Sequence, residues 1–448
     1  MGKIFTNDPP FYQQLRAIAI PVAVQNLITV GVSMLDTLML GSMGEVQLSA
    51  SSLANQWFFM LTVINFGLAG GANVLVAQYW GKGEPAEIRK VLSIVYRISV
   101  CISLLFSLGA LCCPEIIMSI FTNDAEVIAA GCRYLTVIGW VYPLYALGNN
   151  TIMLLRAVGT VRISLVVYST SFVVNAFFNW VFIFGNLGAP RLEIQGAALA
   201  TAIARVVEFL IVAWFLFRRE HKIQFHLHDL RRFDRVMFGA FVRAATPIIF
   251  NDMIWAIGNS MITIIMGRMG KEFVAANSIN SVVMQFASVA LMGTSSAAAA
   301  IIGNTIGAGE YDRARDRART LMYIAAMIGV AAGVLIFTIR PFILGFYNIT
   351  EVTRGYAMSF MAITSVLVFF MAQSSVSMMG TLRGGGDGKF VMVIDVIFMW
   401  MICIPLGYIA GLRLGLAAPI VYFIIKCDEM IKSVIGAVPV SYTHLTLP

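Results

Sequence analysis

One carboxylate, Asp36, lies deep inside the apolar stretch that runs from Leu15 to Gly44, LRAIAIPVAVQNLITVGVSMLDTLMLGSMG. An acid at bilayer depth costs roughly 2.5–3.5 kcal/mol on insertion scales, so one kept there usually faces a cavity and serves the passage of ions or substrate. Asp252 and Asp395, the latter within MVIDVIFMW, are set in apolar surroundings in the same way. Asn175 and Asn179 are spaced i, i+4, which puts two amide groups on one face of a helix. Carboxylates and amide oxygens are hard ligands, suited to holding and releasing a proton or Na⁺. Covalent chemistry has no such foothold: H-E-x-x-H, paired helix aspartates and a Ser/Lys dyad are all missing, so no enzyme is expected.

These residues have to be positioned by helices in a membrane. Of 448 residues, 59% are hydrophobic and 12% charged, and the mean hydropathy is +0.83, against about 25% charged in a soluble domain. The apolar runs are about 20 residues or longer and do not alternate, so helices rather than barrel strands make the crossings. About twelve are expected, near 15–40, 48–79, 91–113, 126–154, 162–186, 194–217, 239–266, 273–305, 320–339, 355–381, 390–411 and 414–438. No removable signal peptide is read at the start. The six cysteines lie in or beside apolar runs without C-x-x-C spacing and are expected as reduced packing residues.

The net charge of +8 reports topology rather than a nucleic-acid partner. Assigning loops alternately to two sides puts twenty Lys and Arg on one and seven on the other. By the positive-inside rule the first side, which holds both termini, is cytoplasmic. The longest polar stretch, RREHKIQFHLHDLRRFDRVMFG, carries His221, His226 and His228 and reads as a cytoplasmic linker rather than a metal centre. It divides the chain into an N-terminal six-helix lobe (1–217), the linker (218–238) and a C-terminal six-helix lobe (239–438). Residues 439–448 read as an anomalous, artefactual tail without function.

The two lobes repeat. Pro21, Thr37, Gly41, Met43 and Gly44 recur 226 positions later as Pro247, Thr263, Gly267, Met269 and Gly270. Gln78, Gly81, Gly83 and Glu84 recur at the same spacing as Asn304, Gly307, Gly309 and Glu310, and Leu155, Arg156 and Gly159 recur as Leu382, Arg383 and Gly386, 227 apart. An even number of crossings between copies preserves orientation, so the fold class is all-α and polytopic: two six-helix bundles related by a pseudo-two-fold along the membrane normal.

With these motifs in order (MLDTLMLGSMG, QYWGKGE, LRAVGTVR, VNAFFNWVFIFG, IQGAALATAIAR and LRGGGDGK) the chain from about Leu15 to Ile435 resembles the multidrug and toxic compound extrusion (MATE) transporters of the bacterial NorM and DinF kind. The resemblance implies export of amphipathic, mostly cationic organic compounds in exchange for inward Na⁺ or H⁺. It also implies a bacterial inner-membrane location, no cofactor beyond the coupling ion, and a monomer whose partners are the bilayer and small organic cations. Asp36 matches the family's coupling aspartate of the N-terminal lobe, and Asn175 and Asn179 match its partners on the fifth helix; the alternative for Asp36 is a structural carboxylate tying those helices. Asp252 resembles an acid that some NorM-like members carry on the seventh helix. Their tenth-helix aspartate is absent here, where the chain reads Ala372-Gln373-Ser374, so Asp395 is the expected stand-in partner for Asp252. Arg205, Glu208, Lys426, Asp428 and Glu429 are expected as structural pairs, and Met34, Trp255 and Met261 as cavity lining. A lipid-linked oligosaccharide or lipid flippase of the same superfamily is the alternative function; it calls for a strongly basic central cavity, whereas the intramembrane charges are chiefly acidic.

Overall fold

The computed structural model describes residues 6–442, apart from 42, 44, 232 and 348. Lys3 and Arg232 of the basic count, Gly44 of the repeat and residues 443–448 of the tail lie outside the described residues. Every regular element described is helical: α1 (Pro9–Gly41), α2 (Glu45–Lys82), α3 (Pro85–Cys112), α4 (Pro114–Phe121), α5 (Ala125–Ile138), α6 (Tyr142–Ala157), α7 (Arg162–Phe184), α8 (Ile194–Arg218), α9 (Arg235–Arg268), α10 (Lys271–Gly307), α11 (Tyr311–Gly345), α12 (Glu351–Ser374), α13 (Gly388–Val396), α14 (Ile404–Tyr408), α15 (Ala418–Lys426) and α16 (Asp428–Tyr442). In lipid each backbone N–H and C=O needs a partner within the protein, and a helix supplies it locally.

Eleven helical stretches among the described residues are long and apolar enough to cross a bilayer, with α5 and α6 joined as Ala125–Ala157. The twelfth expected crossing is α15 and α16. It is interrupted at Cys427 and carries Lys426, Asp428, Glu429 and Lys432, which explains why composition alone does not single it out. Three stretches widen into π-helical turns, Ser375–Leu382 after α12, Ile397–Cys403 after α13 and Ile409–Arg413 after α14. Such turns concentrate at functional sites. All six cysteines are free thiols, but Cys101, Cys112 and Cys113 are exposed rather than packed, because they project from the outer faces of α3 and the turn after it.

The chain forms two compact units. One comprises Val24–Val76 and Glu84–Ala245; the other comprises Met1–Ala23, Ala77–Gly83 and Thr246–Pro448. The first has a core around Leu61, Met118, Leu135 and Tyr142. Asn150 Nδ2 ties α6 to α2 and α3, donating to Asn65 Oδ1 at 3.1 Å and to Ser99 Oγ at 2.5 Å. In the second, Phe360 stacks on Tyr422 at 4.4 Å, and the Tyr422 hydroxyl accepts from Asn280 Nδ2 at 2.6 Å.

The recurring residues of the sequence have backbone reasons. Gly83 and Gly309 both take left-handed φ, +75° and +78°, in the turns after α2 and α10. Gly159 and Gly386 do the same after the repeated Leu-Arg pairs, at +74° and +101°. L side chains pay for that conformation and glycine does not. Gly81 and Gly307 serve close approach instead: a Cβ on Gly81 would sit 2.0 Å from Asn304 O, and one on Gly307 would sit 2.1 Å from Gln78 O. Position 78 matches 304 and position 81 matches 307, so these are reciprocal contacts, as a two-fold requires. Pro21 and Pro247 stand inside α1 and α9, and each falls within three residues of a boundary between units. A proline inside a helix removes one backbone bond and bends the helix there.

The linker is a strap fastened to the first unit. The Glu220 carboxylate accepts the backbone N–H groups of Lys222, Ile223 and Gln224 at 2.8, 2.7 and 3.1 Å. Lys222 Nζ donates to Val158 O at 2.8 Å, and burial pushes this ammonium below its ordinary pKa. Asp234 caps α9 by accepting from Val236 and Met237, and pairs with Lys90 at 3.0 Å. The Met237 N–H and then Lys90 hold its carboxyl below the usual range. Ligand atoms of His226, His228 and Asp229 lie within 4.8 Å of one another, with His221 outside the group. The Asp229 carboxylate already accepts the His226 backbone N–H at 2.9 Å and lies 3.2 Å from His228 Nε2.

Candidate functional site

Asp36 sits near the end of α1 facing α7. Asn179 Nδ2 donates to Asp36 Oδ1 at 2.5 Å and to Asn175 Oδ1 at 3.0 Å, and Asn175 Nδ2 donates on to Thr201 Oγ1 of α8 at 3.3 Å. The i, i+4 spacing read from the sequence thus becomes a chain of amides ending on the carboxylate. Both asparagines are buried, and Asn179 Oδ1 has no hydrogen-bond partner. An unpaired buried carbonyl oxygen beside a carboxylate is an incomplete polar site, which a proton or a hard cation would complete. Arg205, whose field reaches Asp36, is itself held by Glu208 at 2.7 Å one turn along α8. That pair was expected from sequence to be structural, and the structure closes it.

The second unit assembles its charges differently from the sequence expectation. Asp252 and Asp395 do not pair. Arg383 Nη2 donates to Asp252 Oδ1 at 2.8 Å, while Asp395 Oδ1 lies 2.8 Å from Lys432 Nζ. The reason is reach: Arg383 of the repeated Leu-Arg motif extends back to α9, and Lys432 comes in from α16. The first unit has a neutral version of the former contact, Arg156 donating to Gln25 Oε1. Lys432 also pairs with Asp428 at 2.8 Å, one turn earlier on α16. Ser374 donates to Glu429 Oε2, at the position where the expected tenth-helix acid is lacking. Lys432 and Ser374 carry no motif; the one sequence signal was the i, i+4 spacing of Asp428 and Lys432.

Met261 stands in the wall of one cavity. This cavity, about 630 Å³, lies within the second unit between α9 and the α14 region, with Ile265, Pro405 and Tyr408 in its wall and Arg268 and Arg413 beside them. Trp255 and Met34 are 43% and 46% exposed and are not in its lining.

Comparison with known proteins gives these features a context. The MatE family model matches residues 21–181 and again 247–409, so the two matches begin at the two in-helix prolines. The uncharacterized transporter YisQ of Bacillus subtilis is 23% identical over 403 residues, covering 89% of this chain and 88% of its own length. The multidrug resistance protein MdtK of Yersinia pseudotuberculosis is 24% identical over 411 residues, with 89% and 88% covered. The fold matches that of a Vibrio cholerae MATE transporter with a TM-score of 0.88 at 16% identity, covering 96% of each chain. With both halves matched by the family model and the same helical architecture, the chain belongs to the MatE family of multi-pass membrane transporters.

Proposed function

We propose that the protein is a secondary-active efflux antiporter of the bacterial inner membrane. It exports amphipathic, mostly cationic organic compounds in exchange for Na⁺ or H⁺ moving inward, with Asp36 as the coupling group. One observation carries this reading. Within the spans, Asp252, Asp395, Asp428 and Glu208 each touch an Arg or Lys, whereas Asp36 is hydrogen-bonded by a neutral amide and Glu429, the other such acid, by the Ser374 hydroxyl. A carboxylate already neutralised by a fixed cation has little to gain from a mobile one. Asp36 has no such partner among the described residues, and beside it stands the unsatisfied oxygen of Asn179. A proton would neutralise the carboxylate directly; Na⁺ would take the carboxylate and the amide oxygen together. Relatives named as multidrug resistance proteins support the drug-export part.

Exchange follows if the ion and the organic compound favour opposite-facing states of one equilibrium, each shifting it only by its differential affinity. The test is export of a fluorescent organic cation from vesicles under separately imposed Na⁺ and pH gradients. Wild-type protein responds to one of the two gradients. Asp36→Asn, present in the membrane at normal amount, loses that response; unchanged gradient dependence in this variant overturns the proposal.

A further inference from the structure

The cavity between α9 and the α14 region has the wrong charge for a cationic substrate, and its layout points to another ligand. The spans that form it, Arg235–Arg268 and Gly388–Arg413, end on its two arginines. Both spans run away from the linker side, since three crossings lie between them, so both guanidiniums stand at the same membrane surface. The apolar wall lies deeper. Met261 and Ile265 precede Arg268 by seven and three residues, and Pro405 and Tyr408 precede Arg413 by eight and five, which at 1.5 Å per residue is about 5–12 Å towards the bilayer centre. Neither arginine forms an ion pair among the described residues. The volume, about 630 Å³, lies in the range of roughly 300–1,000 Å³ typical of ligand pockets.

We propose that this cavity seats an anionic phospholipid, with the phosphate on Arg268 and Arg413 and the upper part of an acyl chain against Met261, Ile265, Pro405 and Tyr408. A guanidinium is weakly hydrated and binds phosphate oxygens in a bidentate fork, so two at the interface favour a phosphate with a net negative headgroup. Water gains little in the apolar part below, while a hydrocarbon chain fills it without losing a hydrogen bond. The lining places no basic residue deeper than the two span ends. It is therefore a seat at one surface rather than a path across the membrane. The proposal is independent of whether Asp36 couples transport.

The test is native mass spectrometry of the purified full chain from nanodiscs containing equal phosphatidylglycerol and phosphatidylcholine, with inorganic phosphate as competitor. The expected result is retention of one phosphatidylglycerol in at least tenfold preference to phosphatidylcholine, undisturbed by millimolar phosphate. Arg268→Gln with Arg413→Gln removes the preference, whereas Arg340→Gln leaves it. Ile265→Trp, which fills the apolar part and keeps both charges, lowers retention of either lipid. Equal retention of the two lipids by wild-type protein, displacement by free phosphate, or a preference that survives the double substitution overturns the proposal. If the double variant does not fold, Ile265→Trp decides: unchanged retention overturns the proposal and lowered retention supports it.

Discussion

Aspartate is used in two ways along this chain, and the neighbours decide which. Asp252 and Asp395 meet Arg383 and Lys432 at 2.8 Å each, whereas Asp36 meets the amide of Asn179. A buried pair is costly to break because its survivor is left charged and desolvated. Lys432 is the sharpest case, since its side chain is 5% exposed and holds Asp395 and Asp428 together. Lys432→Met is therefore expected to cost about 3–5 kcal/mol, read as a lowered melting temperature of the purified protein. Adding Asp395→Asn to it should recover part of the loss, because one uncompensated charge is removed. The same melting temperature in Lys432→Met and wild type would show that the network is not holding α16. The sequence exposed the acids but not their partners. A helix carries side chains in every direction, and which of them meet depends on a rotation that linear spacing does not give.

Between helices, the repeated glycines state where backbones come close. Gly81 packs on Asn304 and Gly307 on Gln78, with no room for a methyl group at either glycine. Gly307→Ala would force Gln78 O away and is expected to cost about 1–3 kcal/mol, as overpacking does. Gly309→Ala makes a contrast, for its Cβ meets nothing within 4 Å and only the left-handed φ of +78° is strained, at about 1–2 kcal/mol. Trypsin resistance and melting temperature of the two variants check the order; equal losses would mean that close approach is not what Gly307 provides. The motif G-x-G-E is thus two requirements in three residues, one steric and one conformational. Both were visible as a repeat before their causes were.

At the scale of the molecule, the bias of twenty basic residues against seven is the ground, through the positive-inside rule, for proposing that the linker and both termini lie in the cytoplasm. On a cysteine-free background, His221→Cys in the linker is expected to react with a membrane-impermeant maleimide only in inside-out vesicles. Arg191→Cys, in the turn between α7 and α8, is expected to react in intact cells. The reverse pattern would invert the topology and with it the direction of transport.

What the sequence determined by itself was the class of solution. Hydropathy fixes a bundle of spanning helices because lipid leaves the backbone no other way to satisfy its polar groups. Duplication shows as conserved spacing because glycine and proline are needed wherever the backbone turns left-handed, approaches closely or bends. The i, i+4 geometry of Asn175 and Asn179 was legible too, since it is internal to one helix. Only the tertiary structure decided that Asp252 belongs to Arg383, that Asp395 belongs to Lys432, and that Asn179 delivers its amide to Asp36 and keeps an oxygen unpaired. Those facts depend on which faces of separate helices meet, and an apolar helix surrounded by lipid has no strong one-sided pattern to announce its inward face.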